Sequence, residues 1–123
     1  MKVLLSIKPE FVDRIFDGSK KFEFRKSLFK RDGIKKVVIY STMPVGKVVG
    51  EFEIKSIFLD ELTKLWSRTA EHSGISQSFF DEYYEGKEKG VAIQIGKLTK
   101  YSEPLPLSHL GANVTAPQSY RYL

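Results

Sequence analysis

The sequence predicts an α+β fold, a small mixed β-barrel with helices on its flank. Three observations predict it. The chain has 123 residues, the size of one ordinary domain and too short for two well-packed cores, so a single domain over residues 1–123 is expected. More segments read as strands, either by alternating with a period of two or as short apolar runs, than repeat at helical spacing, so strands outnumber helices. The helical segments are inserted between the strands along the chain. A hydrophobic fraction of 41%, with only 5 prolines and 9 glycines, is enough for a buried core and argues against a disordered segment.

Taken in order, "KVLLSI" is a short and nearly continuous apolar run that suits a buried strand. Lys8-Pro9 ends it, and Pro9 is well placed as the first residue of a helix because its missing N–H has no intrahelical acceptor there. Phe11, Val12, Ile15 and Phe16 recur at helical spacing, and Gly18 supplies the left-handed residue that closes the helix near Asp17. From Lys20 the period changes to two, with Phe22 and Phe24 on one face and Lys21, Glu23 and Arg25 on the other. "KKVVIYS" reads as a third strand and "KVVGEFEIKSIF" as a long fourth, with Phe52 and Ile54 inward and a bend or bulge at Gly50. Leu62, Leu65, Trp66 and Thr69 define a second helix with Asp60 as its expected cap. Phe79, Phe80, Tyr83 and Tyr84 define a third, closed by Gly86. "GVAIQIGKL" is a fifth strand. The tail holds three of the five prolines and little periodicity, so an irregular segment is expected to pack on the body through Leu105, Leu107, Leu110, Tyr120 and Leu123.

The absence of cysteine excludes disulfides, thiolate metal sites and a cysteine nucleophile, and suits a reducing compartment. His72 and His109 are the only histidines and have no metal-binding spacing, so neither a metal nor a cofactor is expected. The first apolar run is about five residues, far short of a signal peptide core or a membrane span, and the protein is expected in the cytoplasm. The net charge is +5, yet the segment Lys20 to Lys36 alone carries +6. A localised basic stripe attracts polyanions such as nucleic acid better than the same charge spread evenly.

The stretch "DGSKKFEFRK" holds more charge than a helix-to-strand turn needs. In a regular strand Glu23 and Arg25 share a face and Lys20 points the other way, so Lys20 joins them only if the chain is still turning there. On its own, the pair reads as a surface ion pair of small energetic weight. Gly18, Lys20, Glu23 and Arg25 nevertheless spell G-x-K-x-x-E-x-R between a first helix and a second strand. That pattern resembles the signature of the ASCH domain, of the PUA-like β-barrel superfamily. "VVIYSTMPVGKVVGEFEI", "GISQSFFDEYY" and "GVAIQIG" follow in the order found in small stand-alone prokaryotic ASCH proteins.

The resemblance implies a five- or six-stranded barrel with a cleft between barrel and helices, a start of strand two that is bulged, and Lys20, Glu23 and Arg25 lining the cleft. It implies RNA or a modified nucleotide as partner. Arg25 offers a planar fork for phosphate or a base edge, Lys20 a point charge, and Glu23 an acceptor for an exocyclic amine or a 2′-hydroxyl. Lys26, Lys30, Arg31, Lys35 and Lys36 are candidates to follow a nucleic-acid backbone. Ser41, Thr42 and Ser73-Gly74 are candidates for the rim, and Tyr120 and Arg121 for its closure.

One ASCH branch hydrolyses N-acylated cytidine, with a lysine at the position of Lys20 as nucleophile or base and a threonine where this chain has Glu23. Lys20 and Glu23 are therefore the candidate catalytic residues. Such a lysine needs a lowered pKa, for which Arg25 and Lys21 are the available cations, whereas Glu23 opposes it. Glu71 and His72 are weaker candidates for acid and base. Ribonuclease activity ranks lower, because no paired histidines or clustered carboxylates support it. The aromatic set Phe79, Phe80, Tyr83 and Tyr84 reads as a buried helix face, with a base-stacking platform as its alternative. A protein-interaction module with an acidic partner is the remaining class.

Overall fold

The computed structural model describes all 123 residues. Strand β1 (Lys2–Ile7) leads into helix α1 (Pro9–Asp17), followed by β2 (Phe22–Arg25), β3 (Lys36–Ser41) and β4 (Lys47–Glu61). Helices α2 (Leu62–Thr69) and α3 (Gln77–Tyr83) come next, then β5 (Lys89–Leu105) and β6 (Tyr120–Tyr122). Single 3-10 turns lie at Ala70–His72 and Leu107–Leu110. The six strands form one curled half-barrel sheet in the order β2-β5-β4-β3-β1-β6. Only β1 and β3 pair in parallel, with α1 and β2 lying between them in the chain. The architecture is the small mixed α+β barrel of the PUA-like type.

The long antiparallel pair β4–β5, joined through α2 and α3, forms the back of the barrel and curls because its register slips at three places, one of them between Val48 and Gly50. Gly50 permits this: a Cβ there would sit 2.5 Å from the Thr99 carbonyl and 2.9 Å from the Phe16 ring. The barrel interior is filled by Val3, Leu5, Ile7, Val37, Ile39, Phe52 and Ile93 together with Val12 and Ile15 of α1. Each such side chain stabilises the fold by about 1.5–3 kcal/mol through burial. A second cluster, around Leu65, Phe80 and Tyr84, docks α2 and α3 on the outer faces of Phe22 and Phe24.

The structure corrects several local expectations. Strand β2 starts at Phe22, so Lys20 belongs to the turn before it and not to a bulged strand. Asp60 lies at the end of β4. It accepts from the Glu61 N–H at 2.9 Å and from Arg68 at 3.5 Å and does not cap α2, whose N-cap Glu61 makes no side-chain cap bond. The tail is more regular than its prolines suggest: β5 continues to Leu105, and Tyr120–Tyr122 adds an antiparallel edge strand to β1. Leu105, Leu107 and Leu110 pack against a third cluster, while Leu123 is 41% exposed. No helix is long and apolar enough to cross a membrane.

Candidate functional site

A cavity of about 430 Å³ opens between the barrel and the helices. Lys8 and Phe11 at the start of α1 form one side, the turn and strand from Lys20 to Ser27 the floor, and Phe79 and Tyr83 of α3 a wall. Gln118 and Ser119, just before β6, complete it.

Lys20 reaches this floor because the chain is still turning. Gly18 at φ 88° ends α1, and the Lys20 N–H donates to the Arg14 carbonyl at 3.0 Å. The next N–H, of Lys21, donates to the His72 carbonyl at 2.8 Å, and Arg14 Nη1 donates to the Gly74 carbonyl at 2.8 Å. The end of α1, the turn and the loop 72–74 are thus latched together. Lys20 is 3% exposed, with its Nζ donating to the Ser73 carbonyl at 3.1 Å and lying 4.8 Å from the Phe24 ring centroid. Burial pulls the amine down from 10.5 to about 8; Glu23 opposes the shift and Arg14 adds to it. Burial therefore dominates, and the helping cation is Arg14 in place of Arg25 or Lys21.

Glu23 is 6% exposed and accepts from Arg25 Nη1 at 3.3 Å through Oε2. Its Oε1 makes no hydrogen bond within the protein and is left for the cavity. Arg25 is more committed than a free phosphate fork: Nη2 donates to the Ser119 carbonyl at 2.7 Å and to Ser119 Oγ at 3.2 Å. It links β2 to the segment before β6.

The other candidate residues are dispersed. Ser41 is buried in the β3 ladder and Thr42 donates its N–H to the Ile7 carbonyl, and neither lines the cavity. Ser73 contributes its carbonyl to Lys20 while its hydroxyl serves its own turn. Tyr120 packs on Phe29 and Tyr122, and Arg121 donates to the Asn113 carbonyl, both outside the cavity. Of the basic run only Lys26 lines the opening. Lys30 and Arg31 are exposed, their N–H groups held by Tyr122 Oη at 2.8 and 2.9 Å. Lys35 is exposed, and Lys36 is paired with Glu51 at 3.6 Å. Glu71 and His72 are exposed in the 3-10 turn and do not line the cavity.

The aromatic set divides. Phe80 and Tyr84 are buried, whereas Phe79 and Tyr83 line the cavity with their rings within 9° of parallel. Adjacent helix positions differ by about 100° in direction, so the two i, i+4 pairs span about 140°, and one edge of that arc, Phe79 and Tyr83, faces the cavity while the other faces the core. That width was the available signal. Ser27, Gln118, Ser119 and Lys8 carried none, because their positions depend on distant pairings.

Fold and site together define a PUA-like barrel with a charged, partly aromatic cavity between sheet and helices. The ASCH domain model matches residues 5–103, and the chain belongs to the ASCH domain family. It is 30% identical over 128 residues to an "ASCH domain-containing ribonuclease" of Zymomonas mobilis, covering 99% of this chain and 84% of that protein. It superposes on the crystal structure of ASCH from Zymomonas mobilis with a TM-score of 0.90 at 30% identity, covering 99% of this chain and 87% of the other. It is also 32% identical over 122 residues to the large ribosomal subunit protein uL22 of Ureaplasma parvum, of which it spans only 39%.

Proposed function

We propose that this protein binds RNA or a modified nucleotide in the cavity, through Lys20 and Glu23 on its floor and the Phe79–Tyr83 wall. The observation that carries this reading is a buried amine and a buried carboxylate, each with unused hydrogen-bonding capacity, facing one opening beside two aromatic rings. Donor, acceptor and apolar wall are what a flat heterocycle with polar edges requires. Lys26 at the opening and the exposed Lys30 and Arg31 beyond it add attraction for a phosphate backbone.

A second reading, hydrolysis, is favoured by the Lys20 amine, which at about 8 is partly neutral near physiological pH and can accept a proton or attack a carbonyl. The relative named a ribonuclease draws this reading towards RNA. A buried lysine supplies a base that a search for histidine pairs does not find.

Both readings are tested by titrating the wild type, Lys20→Ala and Glu23→Gln against single-stranded RNA, duplex DNA and free nucleosides including N4-acetylcytidine, with product followed. Binding is expected to weaken in both variants. Cleavage of RNA or release of acetate that is lost in Lys20→Ala would establish the hydrolase, and silence across the panel would leave a protein-interaction role.

A further inference from the structure

The charges around the cavity are arranged by depth. Lys20 and Glu23 are buried on the floor, whereas Lys8 and Lys26 are exposed at the rim. Glu23 is the only acid among the lining residues, against Lys8, Lys20, Arg25 and Lys26. Arg25 is occupied by Glu23 and Ser119. None of the protein's four ion pairs involves Lys8 or Lys26, so the rim holds two cations with no acidic partner. Lys26 Nζ lies 4.9 Å from the Tyr83 ring centroid, at the open edge of the aromatic wall.

Size sets a second limit. At about 430 Å³ the cavity lies near the lower end of the roughly 300–1,000 Å³ that holds one small ligand. A groove that tracks a single strand engages about 4–16 nucleotides per domain. The cavity therefore suits one unit of a polymer or one free molecule.

Resting on the nucleotide reading above, we propose that the cavity takes one phosphorylated nucleotide unit, its base edge on Lys20 and Glu23 and its phosphate on Lys8 and Lys26. Arg25 is a positioning residue: it holds the Glu23 carboxylate and the Ser119 wall and does not touch the phosphate. The unit is either a free mononucleotide or one residue of single-stranded RNA turned into the cavity.

The test is calorimetric titration of the four common ribonucleosides, their 5′- and 3′-monophosphates and mixed-sequence RNA octamers, over a range of salt. The proteins are wild type, Lys8→Ala/Lys26→Ala and Arg25→Ala. At least one monophosphate is expected to bind about ten-fold or more tighter than its nucleoside at low salt. The double rim variant, at two exposed positions outside the core, should erase that margin while keeping nucleoside binding. Arg25→Ala should weaken nucleoside and monophosphate by the same factor and leave the octamers' salt slope unchanged, whereas loss of a phosphate contact lowers that slope by about 0.7. An octamer matching the monophosphate marks a site for the single unit, and a tighter octamer marks a unit read within RNA.

Equal affinity for nucleoside and monophosphate would overturn the proposal, as would a margin that survives in the double variant. A salt slope that falls in Arg25→Ala would overturn the positioning role. Octamer binding without any binding of nucleosides or monophosphates would overturn the single-unit site and leave the RNA reading standing. No binding at all would remove both.

Discussion

A lysine amine held 3% exposed is costly in its charged form, and Lys20 shows how that cost depends on pH. Its folded pKa, lowered by burial from 10.5 to about 8, means that the unfolded chain keeps a proton the folded chain has lost between those two values. Stability therefore rises with pH across that window, by about 2 kcal/mol between about pH 7 and about pH 9.5. Urea midpoints of the wild type are expected to climb over that range, and those of Lys20→Met to stay flat. Burial raises Tyr83, Tyr84 and Tyr101 above their ordinary value of 10.0, so above it these phenols reverse the slope. If the protein hydrolyses its ligand, the rate should rise with pH around a midpoint of about 8 and lose that midpoint in Lys20→Arg.

At the scale of elements, the site depends on two local fastenings. The loop 72–74 presses on the turn before β2 so closely that a Cβ on Gly74, at φ 69°, would lie 2.4 Å from the Lys20 Cβ. Gly74→Ala is expected to cost about 1–3 kcal/mol through backbone strain and displacement of Lys20, with ligand affinity falling as well. Thermal melts and the same titrations check both effects. The second fastening is Tyr84, whose hydroxyl reaches the carbonyls of Arg25 and Val91 at 2.9 and 3.0 Å, the end pair of the β2–β5 ladder. Tyr84→Phe removes these bonds while keeping the ring, so a loss of about 1–2 kcal/mol in urea unfolding is expected. Because α3 also carries Phe79 and Tyr83, affinity should drop in the same variant.

For the whole molecule, the decisive feature is the open seam between the edge strands β2 and β6. No ladder closes it. Arg25 bonds Ser119 across it, Tyr122 Oη holds the Lys30 and Arg31 N–H groups, and Ser6 Oγ donates to the Pro117 carbonyl at 2.6 Å. The segment 117–123 is thus both a cavity wall and the anchor of the basic loop. Removing it is expected to lower affinity more than about ten-fold and to expose the Lys30-Arg31 bond to trypsin, while the circular-dichroism signal of the helices persists. Unchanged affinity and unchanged proteolysis would show that the seam has no part in binding.

The sequence by itself determined what depends on neighbours along the chain. The helix from Pro9 to Asp17 followed from Pro9, four apolar residues at helical spacing and Gly18. Short apolar runs located β1 and β3, period-two runs located β2, β4 and the start of β5, and the sharing of a face by Glu23 and Arg25 followed from strand geometry. The family resemblance was also legible, because its signature lies within one turn and one strand. The end of the fifth strand at Leu105 and the strand Tyr120–Tyr122 were not legible, since a ladder partner gives a short, irregular segment its extended form. Distant packing likewise removes Ser41, Thr42, Tyr120 and Arg121 from the cavity and brings Ser119 to Arg25 across 94 positions, whereas the width of the aromatic arc was the one sign along the chain that separates Phe79 and Tyr83 from Phe80 and Tyr84. Only the tertiary structure decided how deep each charge lies. Depth sets the dielectric around Lys20, and with it whether that lysine is a surface cation or a reactive amine.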